Sequence, residues 1–227
     1  MARLPRLSVP GLPHHALLSG NNRQPVFLDD QDRAHFMVLL VDLLRDAPVQ
    51  LHAYVLLDTQ VRLLLTPSAP HGLSGLMQAL GRRYVRWFNH RHGRTGTLWE
   101  GRFRSTVLQA DRYLLPCQVL MDNAPEQAGW VGSAATYPWS SHGHYLGQRH
   151  DKWLTTHPEI WRLGNTPFAR EAAYAQAVAA GVAPGLASAL MGATLKGWAL
   201  GDAAFLADLA QHTDRRLTEQ RPGRPRS

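Results

Sequence analysis

The sequence predicts an α+β domain, an antiparallel sheet with helices on one face, followed by a helical C-terminal extension. Three observations predict it. Between residues 14 and 122 the apolar pattern switches between period two and period 3.6 in the order β, α, β, β, α, β, α, as expected of strands and amphipathic helices sharing one core. The β-prone runs 49–57 and 61–66 are joined by a turn centred on Asp58-Thr59, which favours an antiparallel hairpin although neither residue is glycine. From Gly129 the composition changes, to the turn-rich aromatic stretch WVGSAATYPWSSHGHYLG and then to alanine-rich helical segments.

Each element has a local reason. HHALLS, residues 14–19, reads as a short strand, with a turn and loop in GNNRQPVF behind it. Asp29 or Asp30 caps a helix that runs to about Ala47 on an apolar stripe of Phe36, Leu39, Leu40, Leu43 and Leu44, and Pro48 ends it. The hairpin follows, with His52 expected on the same side as Tyr54. Residues 73–91 form a second helix: Leu73, Met77, Leu80, Tyr84 and Trp87 or Phe88 make one face, and Arg82, Arg86 and His90 recur every four residues on another. Gly93, Gly96 and Gly101 break that helix, residues 102–108 form a strand, and Asp111 opens a helix to Met121 or Asp122 with Pro116 close to its first turn. Alanine-rich helices are expected over 166–180, 183–195 and 202–212, with a short helical HPEIW before them. The expected organisation is a domain over 1–130, a helical extension over 131–215 and a basic, disordered tail over 216–227; a tail of the type RPGRPRS can also lie in a minor groove.

The chain has 227 residues, is 44% hydrophobic and carries a net charge of +7, enough apolar content for a real core. Of its basic side chains only Lys152 and Lys196 are lysine, so the cations are planar guanidinium forks that match phosphate oxygens. This favours nucleic acid over a membrane surface as partner, although a GC-rich genome produces the same bias. No apolar run is long enough for a membrane span, MARLPRLSVPG lacks the apolar segment of a signal peptide, and the single Cys117 fits a reducing cytoplasm. Within QALGRRYVRWFNHRHGRTGTLWEGRFR, Arg91, Arg94, Arg102 and Arg104 continue the helix's positive charge through a loop interleaved with Trp99 and Phe103. Guanidinium groups beside aromatic faces can grip a backbone and stack unpaired bases. The alternative for this stretch is a solvated amphipathic helix and a surface loop.

Several long strings carry a resemblance: GLPHH and SGNNRQPVF near the start, HAYVLL and VRLLLTP in the hairpin, GLSGLMQALGRRYVRWFNHRHGRTGTLWEGRFRS, RYLL, YPWSS, and the closing GWALG and PGRPR. Over nearly its whole length the chain resembles the REP-associated tyrosine transposases of the IS200-like, HUH single-strand nuclease group. The resemblance implies a ferredoxin-like α+β fold and a bacterial protein that recognises hairpin or single-stranded DNA. Active members cut and rejoin strands through a phosphotyrosine, with Mg²⁺ or Mn²⁺ held by two histidines two residues apart on a strand.

Against that pattern both chemical parts are altered. Gln60 and Arg62 stand at the two ligand positions; an arginine has no lone pair to give and repels a cation, so no metal or other cofactor is expected, and the residue suits a phosphate held directly. In CQVLMDNAPEQAG, residues 117–129, Gln118 and Leu120 occupy the two tyrosine positions, Leu120 that of the nucleophile; Tyr113, seven residues earlier, is a packing residue or a displaced nucleophile. The binding residues remain: Arg82, Arg83, Arg86, Arg94, Arg102 and Arg104, with Asn21, Asn22 and Arg23 in the early loop. His14, His15 and His52 read as core or DNA-facing groups, and His90 and His92 as phosphate contacts or solvated. The leading expectation is a DNA-binding protein without strand cleavage. The alternatives are an active transposase using Tyr113 or a tyrosine from a partner subunit, and a relic or partner of an active paralogue that no longer binds DNA.

Overall fold

The computed structural model describes residues 6–219, and the basic tail from 220 onward lies outside them. Among the described residues the strands β1 (His14–Ser19), β2 (Val49–Leu57), β3 (Gln60–Pro67) and β4 (Arg104–Val107) form one antiparallel sheet in the order β2-β3-β1-β4. The β2–β3 hairpin closes at Leu57↔Gln60, so Asp58 and Thr59 are its turn. The turn lacks glycine but is tied down from outside: the Asp58 carbonyl accepts from Val26 N at 2.7 Å and the Thr59 carbonyl from Gly20 N at 2.8 Å.

Two helices cover one face of the sheet. The first, α1 (Asp30–Asp46), is capped by the Asp29 carboxylate, which accepts from Asp32 N; the second is α2 (Gly72–Arg91). Alternate strand residues Ala16, Leu18, Val61, Leu63 and Leu65 pack there against Phe36, Leu40, Leu80 and Phe88. Tyr84 sits at the centre, its ring in contact with those of Phe27, Phe36, Phe88 and Trp99, while its hydroxyl donates to the Val26 carbonyl at 2.6 Å. Removing such a ring costs roughly 3–5 kcal/mol.

The opposite face is also covered. There α3 (Ala110–Asp122) crosses the sheet, followed by the one-turn helices α4 (Ala124–Gln127), α5 (His142–Tyr145) and α6 (Pro158–Trp161) and then by α7 (Pro167–Ala180), α8 (Pro184–Lys196) and α9 (Ala203–Gln211). Tyr174 of α7 and Leu190 of α8 share one apolar cluster with Ala53, Val55 and Leu64 of the sheet. The expected placement of helices on one face therefore holds for α1 and α2, and the extension serves as the lid of the other face. Segments around Ser140 and Leu154 run along β2 as isolated bridges and cover that edge.

Three local expectations are corrected. Pro116 is the seventh residue of α3, not part of its first turn, so one interior helical hydrogen bond is missing. A β-bulge at His52 breaks the alternation of β2, so that His52 binds the Thr66 hydroxyl (2.8 Å) and the Thr155 carbonyl (2.6 Å) on the α3 side, while Tyr54 packs on the α1/α2 side. The last strand is also shorter than its apolar pattern suggested. Gly101 has φ +68°, and the chain joins the sheet at Arg104.

Candidate nucleic-acid interface

The spacing of α2 works as its sequence suggests. Leu73, Leu76, Met77, Leu80, Tyr84 and Phe88 are buried, while Gln78, Arg82, Arg86 and His90 are exposed on the other side. Beside that exposed row the chain returns through residues 99–103, held by Trp99 Nε1 donating to the Gly81 carbonyl and by an isolated bridge between Trp99 and Gly20. A cleft of about 450 Å³ is left between them, lined by Arg82, Arg102, Phe103 and Arg6. A second of about 210 Å³ continues from the same Arg6, Arg102 and Phe103 to Arg104, Lys196, Trp198 and Arg215.

Together they form a groove from the exposed side of α2 to the C-terminal end of α8, with no carboxylate among the described residues of either lining. Phe103 divides it. The Arg6 guanidinium lies 3.9 Å above the Phe103 ring centroid and its Nε donates to the Phe103 carbonyl at 3.2 Å, a stacked arrangement that holds the cation in place. Arg104 donates to the Leu195 carbonyl at 2.7 Å, where a cation also complements the C-terminal end of the α8 dipole. Lys196 pairs with Glu219 at 2.7 Å, both largely exposed, and Arg215 donates to the Gly197 carbonyl.

Of the residues singled out in the sequence, Arg82, Arg102 and Arg104 meet in this groove, and Arg86 lies one helical turn beyond Arg82. Arg94 turns to the other end of the loop, where it donates to Gln24 Oε1 at 3.2 Å beside Asn22 and Arg23. Asn22 and Arg23 form a tight exposed turn, both with positive φ (51° and 59°), and Asn21 N donates to the Leu98 carbonyl. Arg83 points the other way, to Asp42 of α1 at 3.1 Å. Arg91 and His92 are internal clamps rather than phosphate contacts. Asp32, with no exposed side chain, accepts from Leu28 N (2.7 Å) and Arg91 and lies 2.9 Å from His92 Nε2, while Arg91 also donates to Asp29. The first turn of α1 is thereby tied to the last turn of α2. Sequence reasoning missed Arg6, Lys196, Trp198 and Arg215; Arg6 and Trp198 lie inside the strings MARLPRL and GWALG, but nothing local brings them together.

On the sheet face beneath α3 lie Gln60 and Arg62, where the resemblance places the metal ligands. Arg62 donates to Gln60 Oε1 at 3.3 Å, its Nε has no acceptor, and burial pushes its pKa down. The Cys117 thiol faces it from α3, pushed up to about 12 by burial despite the nearby guanidinium. His15, on the same face, places Nδ1 2.8 Å from the Thr194 hydroxyl and is held near 3 by burial, with Arg62 acting in the same direction. A permanent cation already stands at this point, and a neutral thiol and a neutral imidazole face it. These residues do not fit a divalent metal.

Gln118 and Leu120, where the resemblance places the tyrosines, are enclosed. Leu120 is buried in the cluster under the extension, and Gln118, fully buried, faces the Tyr145 and Tyr174 hydroxyls without a well-aligned hydrogen bond. Asp122 takes the Tyr174 hydroxyl and lies 3.0 Å from His142 Nδ1, all three groups inside the protein. Tyr113 is half-buried and packs against the same cluster. His14 bonds the Leu12 carbonyl and Val9 N and, like His52, belongs to the core.

No protein-family profile matches the sequence. No curated protein matches it either. Among solved structures, a REP-associated tyrosine transposase bound to a REP hairpin superimposes with a TM-score of 0.54 at 16% identity, covering 70% of this chain and 93% of that one. A protein of Deinococcus radiodurans R1 assigned as a transposase gives a TM-score of 0.36 at 25% identity over 50% of this chain and 92% of its own. The first of these shows a shared fold, the α+β sheet architecture expected from the sequence.

Proposed function

We propose that the chain is a member of the REP-associated tyrosine transposase family that binds hairpin or single-stranded DNA and no longer cleaves it. The observation that carries the reading is the contrast between two places in one fold. Outside, six cations line a groove whose described lining holds no carboxylate, Lys196 being paired with Glu219 at its edge, with Phe103 in its middle and Trp198 at one end. Inside, the place where active relatives hold a metal contains Arg62, and the place of the nucleophile is a leucine sealed beneath the extension. A groove of that charge attracts any polynucleotide through counterion release, and its aromatic groups offer surfaces on which unpaired bases stack.

The fold shared with a structure bound to a REP hairpin supports a hairpin as the ligand. A cytoplasmic, DNA-associated location belongs to the same proposal; among the described residues no single helix is long and apolar enough to cross a membrane. The test is a pair of assays on a labelled hairpin with single-stranded tails. Anisotropy is expected to show tight, salt-sensitive binding. Incubation with Mg²⁺ or Mn²⁺ is expected to leave the strand intact, and a covalent protein–DNA adduct, above all one abolished by Tyr113→Phe, would overturn the reading.

A further inference from the structure

The register of the sheet places Arg62 in an unusual neighbourhood. Val55, Arg62, Leu17 and Arg104 are cross-strand partners and form one row on the α3 face, so the backbones of the two arginines stand two strands apart, about 10 Å, with a leucine between them. The next row toward the hairpin turn pairs Gln60 with Ser19. Both of these are only half-buried, which leaves that end of the row open to solvent.

Arg62 differs from three other inward-turned arginines and resembles Arg215, which likewise donates to a neutral carbonyl, that of Gly197. Arg33, Arg91 and Arg149 each have an aspartate partner, whereas Arg62 has one neutral acceptor, the Gln60 amide oxygen, and no carboxylate among the described residues. The Cys117 thiol beside it is neutral at physiological pH and supplies no counter-charge. Arg62 is half-buried with its Nε closed off from solvent, and a cation so placed without an anion is disfavoured, so the site is electrostatically incomplete. With its oxygen turned to Arg62, Gln60 has its amide N–H groups left to donate, and Ser19 adds a hydroxyl. The remaining groups are donors around a positive centre, the arrangement that binds an oxyanion.

We infer that Arg62, with Gln60 and Ser19, is a phosphate-group site on the sheet face. That the phosphate belongs to DNA rests on the function proposed above; that the site takes a phosphate group does not. Arg104, in the same row and at the edge of the groove, links the two places.

Thermal denaturation of the full chain in inorganic phosphate or chloride at equal ionic strength tests the site. The wild type is expected to melt roughly 2–4 °C higher in phosphate. Arg62→Met is expected to lose that shift and, in chloride, to melt no lower than wild type, because a lone buried charge has been replaced by an apolar chain of similar length. Arg82→Ala should keep the shift. If Arg62→Met does not fold, Ser19→Ala with Gln60→Leu leaves the arginine in place and should at least halve it. An equal phosphate shift in wild type and in these site variants, or none in wild type, overturns the inference. Anisotropy with the tailed hairpin then separates the sources: binding about tenfold weaker in Arg62→Met assigns the site to the DNA backbone, and unchanged binding assigns it to free phosphate. A wild type that binds no DNA but shows the Arg62-dependent shift removes the DNA reading and leaves the site standing.

Discussion

Arg82 and Arg83 are neighbours on α2 that the structure sends in different directions, and replacing each by alanine separates the groove from a generally basic helix. Arg82 lines the cleft with Arg6 and Arg102, whereas Arg83 is bonded to Asp42 on the α1 side. Six basic residues line the groove, Arg6, Arg82, Arg102, Arg104, Lys196 and Arg215. If each meets one phosphate of a single strand, the slope of log affinity against log salt is about −4, and raising salt from about 50 to 200 mM weakens binding roughly 300-fold. Arg82→Ala removes about 0.7 from that slope and about tenfold in affinity at moderate salt. Arg83→Ala, which breaks only a half-exposed ion pair, should leave the slope unchanged and affinity within about twofold. Fluorescence anisotropy of a tailed hairpin over a salt series reads both quantities. Equal effects of the two substitutions, or an unchanged slope in Arg82→Ala, would refute the groove as the binding surface.

Asp32→Asn should lower stability by roughly 2–3 kcal/mol, less than a fully buried pair because Arg91 and His92 reach partly into solvent; the urea midpoint reads it, with an unchanged denaturant slope. His14, His15 and His52 are held by burial near 4, 3 and 4, below the ordinary 6.5, so the folded state takes up fewer protons than the unfolded one. Their contribution is therefore complete above pH 6.5 and declines as the pH falls toward those values, by roughly 1–2 kcal/mol per histidine at pH 5; a urea midpoint unchanged between pH 7 and 5 would contradict this. Rebuilding the chemistry as Gln60→His, Arg62→His and Leu120→Tyr should give no nicking of a hairpin with Mn²⁺, because residue 120 is enclosed beneath the extension, and the larger ring should cost about 1–3 kcal/mol of overpacking.

Much of the fold was legible because its signals are local. The strands at His14–Ser19 and Val49–Leu57 follow from short β-prone runs bounded by turn residues, and the alanine-rich helices begin next to the caps Thr166 and Asp202. The same locality misled at Pro116, where packing of α3 between sheet and extension outweighs one lost hydrogen bond, and at His52, where a single inserted residue reverses the side on which a strand residue lies. For the candidate site the residue types were legible but only part of their grouping was. Arg82, Arg102 and Arg104 read as a cationic stretch and do converge, yet Arg91 and His92, from the same stretch, are spent on Asp32.

By itself the sequence determined the order of the helices and strands, the excess of guanidinium groups, and the residue types at positions 60, 62, 118 and 120. Tertiary structure alone decided which cations face solvent together. The strand order β2-β3-β1-β4 puts Arg62 and Arg104, distant in sequence, into one row, and the packing of the extension brings Lys196 and Arg215 to the groove that Arg6 and Arg102 line. The physical reason is that propensity and capping act within a few residues, whereas the direction of a charge depends on which distant element buries the other side of its backbone.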